Sequence, residues 1–212
     1  MSAQFLDDEA RAAFARAITV IEGQSAVEVV VAMRRASATY RHANVIVGLV
    51  AALGGLAVTL FAEQSFPLVA ILIDPFVVGA LAGFLVEKLP QVKRWLTPRS
   101  SLQDHVRRAA RATFVERGIH ATTGRSGVLV YISWLEQEIA LIPDLGLIAA
   151  LAPDALEKAE AALVTRIPQG GAAVAKELEQ LAAMLAVAMP HRDDDLNELP
   201  DAIDSDLERI RR

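Results

Sequence analysis

Two long apolar segments constrain this chain more than any other feature. Residues 43–61 read ANVIVGLVAALGGLAVTLF without an ionisable side chain, and residues 66–86 read FPLVAILIDPFVVGALAGFLV with Asp74 alone. Each segment has about the length that a helix needs to cross a hydrocarbon core of ~30 Å. A chain of 212 residues cannot easily bury two helices that are apolar on all sides. We therefore predict a transmembrane hairpin of two helices, the alternative being a hairpin inside a soluble core.

Positive charges flank this predicted hairpin on both sides, and the short connection between its helices has no Lys or Arg. Basic residues near membrane spans are enriched on the cytoplasmic side. The pattern predicts a protein of the cell inner membrane with two spans and with both termini in the cytoplasm. The flanking basic residues are Arg34, Arg35, Arg41, Lys88, Lys93, Arg94 and Arg99.

The polar parts of the sequence alternate between helical and strand patterns. Apolar residues at helical spacing predict four amphipathic helices, at residues 6–21, 102–117, 154–166 and 172–189. Runs rich in β-branched residues predict three strands, at residues 26–33, 127–134 and 138–142. We predict an α/β (α+β) fold, a sheet packed with helices and interrupted after its first strand by the transmembrane hairpin. The predicted divisions are 1–42, the hairpin 43–87, 88–190 and an acidic C-terminal tail 191–212.

Three segments of the polar sequence resemble the TPM domain family. Residues 6–31 have acids and a VVV strand where the family has a helix, E-x-x-T-x-x-E and a strand. Residues 123–146 contain TGRSGVLVYIS, Glu136 and DLG, similar to the family's T-x-R-T-G-V-L-I-x-x-S, E-R and D-x-G. Residues 193–200, DDDLNELP, resemble the ending of its bacterial membrane branch. The resemblance implies a TPM-like domain around the hairpin, and a link to photosystem assembly and repair.

The same resemblance raises the question of an enzyme, because some TPM proteins have been assigned acid phosphatase activity and metal binding. Metal-assisted phosphate hydrolysis needs several carboxylates around a hard cation. Asp144, with Glu28 and Glu136 as neighbours, is the candidate set; alternatively, Asp144 only starts the turn at residues 143–146. Residues 193–204 imitate a calcium loop, but Glu198 stands where an EF-hand requires glycine. We expect no cofactor.

The predicted spans contain one residue that opposes membrane insertion and several small residues. An acid in mid-helix opposes insertion by roughly 2.5–3.5 kcal/mol, so Asp74 is expected to be a proton or ion site or a hydrogen-bonded contact. Small residues four apart allow helices to approach closely. The small residues predicted to pack the helices together are Gly79, Gly83, Gly48 and Gly55.

Basic residues after the second span predict contact with anionic lipid or with an acidic partner. Trp95 suits the membrane interface. The basic residues concerned are Arg94, Arg107, Arg108 and Arg111.

These features together predict a non-enzymatic accessory, scaffold or assembly subunit of a larger membrane complex, in contact with the bilayer and with other integral membrane subunits. The resemblance implies a photosynthetic complex as one setting. The net charge of −5 argues against nucleic acid as a partner, and the absence of cysteine excludes thiolate metal sites and cysteine nucleophiles. The alternative is a membrane-tethered, metal-dependent phosphatase.

Overall fold

A computed structural model describes residues 5–191, 198–199 and 202–207. The chain divides into two compact units. We call the first the sheet unit, Met1–Ser37 with Gln103–Arg212, and the second the hairpin unit, Ala38–Leu102. In chain order the elements are α1 (Asp8–Gln24), β1 (Val29–Arg34), α2 (Arg41–Phe61), α3 (Leu68–Val86), α4 (Pro90–Trp95), α5 (Arg99–Glu116), β2 (Val128–Ser133), β3 (Glu138–Pro143), α6 (Leu145–Ala150), α7 (Ala155–Arg166), α8 (Gly171–Glu179), α9 (Ala182–Ala188) and β4 (Asp204–Ser205).

The sheet unit is built on a mixed sheet with the strand order β3-β2-β1-β4. Strand β1 runs parallel to β2, with Val29 opposite Val128 and Arg34 opposite Ser133. It also runs parallel to the short β4. Strands β2 and β3 form an antiparallel hairpin. The predicted α/β class, with two long apolar helices between the first two strands, is thereby confirmed.

The sheet has a hydrophobic core on each face because alternate side chains of β1 and β2 point in opposite directions. Val31, Met33 and Val130 face one core, which also contains Phe14 and Ile18 of α1. The other core contains Val30, Ala32, Leu129 and Tyr131 against Val106, Ala110 and Phe114 of α5. Every residue of β2 is buried, which accounts for the apolar run VLVYI before the buried Ser133.

Two of the differences between the predicted and the observed elements have a clear cause in the hydrogen bonds. Strand β1 begins at Val29 rather than Ala26, because the backbone N–H of Ala26 donates to the Met189 carbonyl, outside the β1–β2 ladder. The predicted helix 172–189 is two helices, α8 and α9. At the break, Gln180 and Leu181 donate to carbonyls three residues earlier, which tightens the turn and ends the regular helix.

The hairpin unit consists mainly of α2 and α3, the two helices of the chain's described part that are long and apolar enough to cross a membrane. They run antiparallel, since Gly48 lies against Gly79 and Gly55 lies against Pro75. A Cβ placed on Gly79 would lie 2.7 Å from the Gly48 carbonyl oxygen and 2.9 Å from Ala52 Cβ. The two backbones therefore touch at this crossing.

We predict that Gly79→Ala destabilises the full chain in detergent. The added methyl must push the helices apart at the crossing, and overpacking of this kind costs about 1–3 kcal/mol. The measurement is thermal unfolding followed by circular dichroism.

Gly54→Ala is the matched control for this prediction, because a Cβ at Gly54 would meet no atom within 4 Å. Both substitutions replace glycine by alanine inside an apolar helix, so they share the gain in helix propensity. Equal stability of the two variants would contradict the close approach.

Candidate functional site

The three carboxylates predicted as metal ligands lie at two opposite ends of the sheet. Glu28 and Asp144 share one end, because the Glu28 carbonyl accepts from Val128 N–H and Asp144 N–H donates to the Gly127 carbonyl. Glu136 lies at the other end, in the turn between β2 and β3. A strand of six residues separates the two ends by about 17 Å. The three acids therefore cannot bind one ion.

Glu28 binds backbone from the C-terminal part of the chain. Its carboxylate is buried and accepts hydrogen bonds from the N–H groups of Glu198 (3.2 Å) and Leu199 (3.3 Å). The Glu198 carboxylate accepts from Thr123 N–H at 3.1 Å. Glu28 thus fixes residues 198–199 beside the start of β1.

Asp144 is the N-cap of α6, so the turn predicted at residues 143–146 is the start of a helix. Its Oδ1 accepts from Leu145 N–H at 2.7 Å. Its buried Oδ2 lies 3.0 Å from Arg125 Nε, an ion pair that lacks the alignment of a hydrogen bond. The Arg125 carbonyl in turn accepts from Gly146 N–H. These contacts give Asp144 a structural role in starting α6.

Glu136 is the acceptor of a buried hydroxyl network. Its Oε1 accepts from Ser37 N–H at 2.8 Å, and its Oε2 accepts from the Ser133 hydroxyl at 2.6 Å. The Ser37 and Ser133 hydroxyls lie 2.7 Å apart. The Tyr131 hydroxyl lies 3.3 Å from Ser37 Oγ, and burial raises the pKa of Tyr131. Because Ser133 is fully buried, this network fixes the turn and does not offer an exposed nucleophile.

No group of three or more His, Asp or Glu side chains within residues 5–191, 198–199 and 202–207 is arranged to hold a metal ion. Most of the calcium-like stretch 193–204, including its three consecutive aspartates, lies outside the described residues.

The sequence did not predict that acids near the C-terminus pair with the basic end of β1. We call the described residues 198–199 and 202–207 the C-terminal strap. Within it, β4 adds to the edge of β1, and Asp206 Oδ1 accepts from Arg35 N–H at 2.7 Å. Asp204 forms ion pairs with Arg34 (2.5 Å) and Arg117. The alternation of acids at 204 and 206 opposite consecutive arginines at 34 and 35 was the signal that could have revealed this pairing.

Asp204 is ionised more readily than an ordinary aspartate. Partial burial by itself would raise the pKa of Asp204, but the hydrogen bond from Arg34 and the positive charges of Arg34 and Arg117 outweigh it and lower that pKa. The strap is therefore held to the sheet by a charge that persists at mildly acidic pH.

The predicted basic contact residues divide into paired and exposed groups. Arg107 pairs with Glu160 at 2.6 Å, and the other Glu160 oxygen accepts from Leu141 N–H. Arg108 and Arg111 are exposed on α5. In the hairpin unit, Arg94 is half-buried whereas Trp95 is 84% exposed. These exposed groups are available for contact with lipid or protein.

The residues singled out in the predicted spans lie on different faces of the hairpin unit. Gly48, Gly79 and Gly83 lie at the contact of α2 and α3, and a Cβ on Gly55 would lie 3.7 Å from Pro75 Cα. Asp74 is exposed on the outer side of α3. The structure thus brings the four glycines together and leaves the acid outside their contact.

Comparison with known proteins identifies a shared fold. No protein-family model and no curated protein matches the chain. The NMR structure of the BA42 protein from the psychrophilic bacterium Bizionia argentinensis is similar, with a TM-score of 0.57 and 16% sequence identity. The similarity covers 95% of each chain.

We predict that Asp204→Asn lowers the free energy of unfolding at neutral pH by about 1–2 kcal/mol, because it weakens hydrogen bonds to two charged groups that remain partly exposed. A depressed pKa in the folded state stabilises above the unfolded pKa of about 3.9 and loses its effect as pH falls through the folded value. The difference between wild type and variant should therefore shrink in acid. Chemical denaturation at several pH values measures it.

Asp154→Asn is the control, since Asp154 is an exposed acid in a surface pair with Lys158. It should change stability far less than Asp204→Asn at any pH, because an exposed ion pair contributes little. A wild-type advantage over Asp204→Asn that stayed constant down to strongly acidic pH would contradict the role given to this charge.

Proposed function

We propose that this protein is an integral-membrane accessory or scaffold subunit without enzymatic activity, anchored by α2 and α3 and carrying a TPM-like domain on the cytoplasmic side. The observation that carries this proposal is the outward apolar surface of the hairpin unit. Its large apolar side chains are exposed on both helices, among them Leu68 at 80% and Phe76 at 72%.

A surface of this kind is unusual for a protein that is surrounded by water alone. Soluble monomers rarely expose contiguous apolar patches larger than a few hundred Å². In lipid the same side chains need no cover, and each helix satisfies nearly all of its own backbone hydrogen bonds. Insertion in a bilayer therefore accounts for a hairpin whose packing face is small and whose outer face is large and apolar.

The orientation in the proposal rests on the distribution of charge. Arginines precede α2, while Lys88, Lys93 and Arg94 follow α3. The connection at residues 62–67 contains Glu63 and no basic residue. This asymmetry favours a cytoplasmic location for both ends of the hairpin and hence for the sheet unit. Trp95 suits the adjoining interface.

A scaffold role is favoured over hydrolysis by the way the acids of the sheet unit are used. Glu28, Glu136 and Asp144 each accept hydrogen bonds from the protein itself. A metal-dependent phosphatase requires carboxylates that converge on an ion with open positions, whereas Glu136 is separated from the other two acids by the length of the sheet.

The resemblance of residues 123–146 and 193–200 to the TPM family supports assembly or bracing of a larger membrane complex as the role of the subunit. A photosynthetic complex is one such setting within that family. Other integral membrane subunits are then the partners of α2 and α3, and the sheet unit is the part that contacts their cytoplasmic surfaces.

We predict that the full chain stays in the membrane fraction after carbonate extraction, because only detergent can replace lipid around two apolar helices. Reporter fusions at Arg212 should be active on the cytoplasmic side, and a reporter inserted after Glu63 should be active on the opposite side. A chain released by carbonate, or a C-terminus outside the cell, would contradict the proposal.

The phosphatase alternative has its own decisive result. Purified full chain should not hydrolyse a generic phosphate ester above background with Mg²⁺, Mn²⁺ or Ca²⁺ present. Hydrolysis that disappeared in Asp144→Ala, while the variant kept its circular dichroism spectrum, would replace the scaffold role by an enzymatic one.

A further inference from the structure

Asp74 occupies an unusual position for a charged residue. It is the seventh residue of α3, so it lies about 9 Å along the helix axis from the helix start. Its side chain is exposed, as are those of Leu72 and Phe76 on either side. In the proposed membrane orientation this carboxylate faces lipid below the headgroups, where an unpaired charge is strongly unfavourable.

The hairpin unit does not supply a partner for this acid. Within the described part of the chain, no residue donates a hydrogen bond to Asp74 or forms an ion pair with it. The helix α2 meets α3 on another side, where Gly55 lies against Pro75. The polar side chain in the second half of α2 is Thr59, and its hydroxyl already donates to the Leu56 carbonyl.

A second acceptor lies one turn before Asp74. Pro75 has no N–H, so it cannot give the Ile71 carbonyl the hydrogen bond that this group would receive in a regular helix. Ile71 precedes Asp74 by three residues, which puts the two on neighbouring sides of α3. That carbonyl points toward the buried Pro75, on the side of α3 that meets α2, so Asp74 supplies the acceptor oxygens of the exposed side.

From this arrangement we infer that the Asp74 side of α3 is the docking surface for a transmembrane helix of another subunit that carries a Lys or Arg at the same depth. The side chains of Lys and Arg have only donors and a positive charge, which complement the acceptor oxygens and the negative charge of the Asp74 carboxylate. A second copy of this chain would bring a second carboxylate, and two carboxylates share a site only if one is protonated. The inference rests on the membrane insertion proposed above.

The test uses the full chain reconstituted in phosphatidylcholine vesicles. Because the chain has no cysteine, Ser65→Cys in the connection gives a single position for a fluorescent donor. The probes are two acceptor-labelled transmembrane peptides of Leu and Ala, one with a single Lys about 9 Å from the end nearest the connection, the other with Leu there. Energy transfer gives the association constant of each peptide.

We expect the labelled chain to bind the Lys peptide about five-fold or more tightly than the Leu peptide, the range of a single polar contact between membrane helices. Asp74→Asn and Asp74→Leu should both reduce this preference to less than about two-fold. Glu63→Gln removes an acid from the connection rather than from α3, and it should keep the full preference.

Three results would overturn the inference. They are equal binding of the two peptides by the wild type, an undiminished Lys preference in Asp74→Leu, and energy transfer between two copies of the chain that depends on Asp74 while the Lys preference is absent. Carbonate extraction of the same vesicles distinguishes a failure of the docking surface from a failure of membrane insertion. A chain that resists extraction but shows no Lys preference refutes only the docking surface, whereas a chain that is released refutes the proposed function as well.

Discussion

The parallel pairing of β1 with β2 is the constraint on which the rest of the structure depends. Parallel neighbours cannot be joined by a tight turn, because the chain must return to the starting end of the sheet. Here the connection from Arg34 to Val128 contains both apolar helices and α5. The α/β pattern therefore tolerates a long insertion at this point without a change in the register of the sheet. The hairpin unit occupies the place in the chain that a crossover helix alone fills in simpler folds.

The same pairing determines what the polar residues do. With β2 on one side of β1, the other edge of β1 would be left open to pairing with foreign strands. The C-terminal strap covers part of that edge, with β4 in the ladder and Asp204 between two arginines. Glu28 holds the strap at the other end of the strand. Glu28, Glu136, Asp144 and Asp206 thus stabilise the backbone of the chain itself, and this use of carboxylates favours the proposed scaffold role over hydrolysis.

Much of the architecture could be predicted from local sequence because it depends on local periodicity. The long apolar runs and the β-branched run GVLVYISW determine their own conformation. Strand β4 was missed because its two residues are polar and its formation depends on an arginine 170 positions earlier in the chain, so local periodicity gave no indication of it. The break between α8 and α9 has no Pro or Gly to mark it, and it arises from two tightened hydrogen bonds.

The separation of the candidate ligands, by contrast, was implicit in the sequence. Once residues 127–142 are taken as a hairpin, Glu136 must lie at its turn and Asp144 at its open end. The position of Glu28 then follows from the parallel alignment of β1 with β2. The acid in α3 was visible in the sequence too, but only the packing of α2 against Pro75 reveals which side of the helix it occupies.

The order of the strands along the chain has a consequence for biosynthesis. β1 leaves the ribosome about a hundred residues before β2. At a synthesis rate of 5–20 residues per second, β1 therefore has no strand to pair with for roughly 5–20 s. The apolar helices emerge during that interval, so the membrane insertion proposed above would take place while β1 still has two open edges. Charged residues next to an apolar strand oppose its aggregation. Arg34 and Arg35 fill this position at the end of β1 until β2 and β4 have been synthesised.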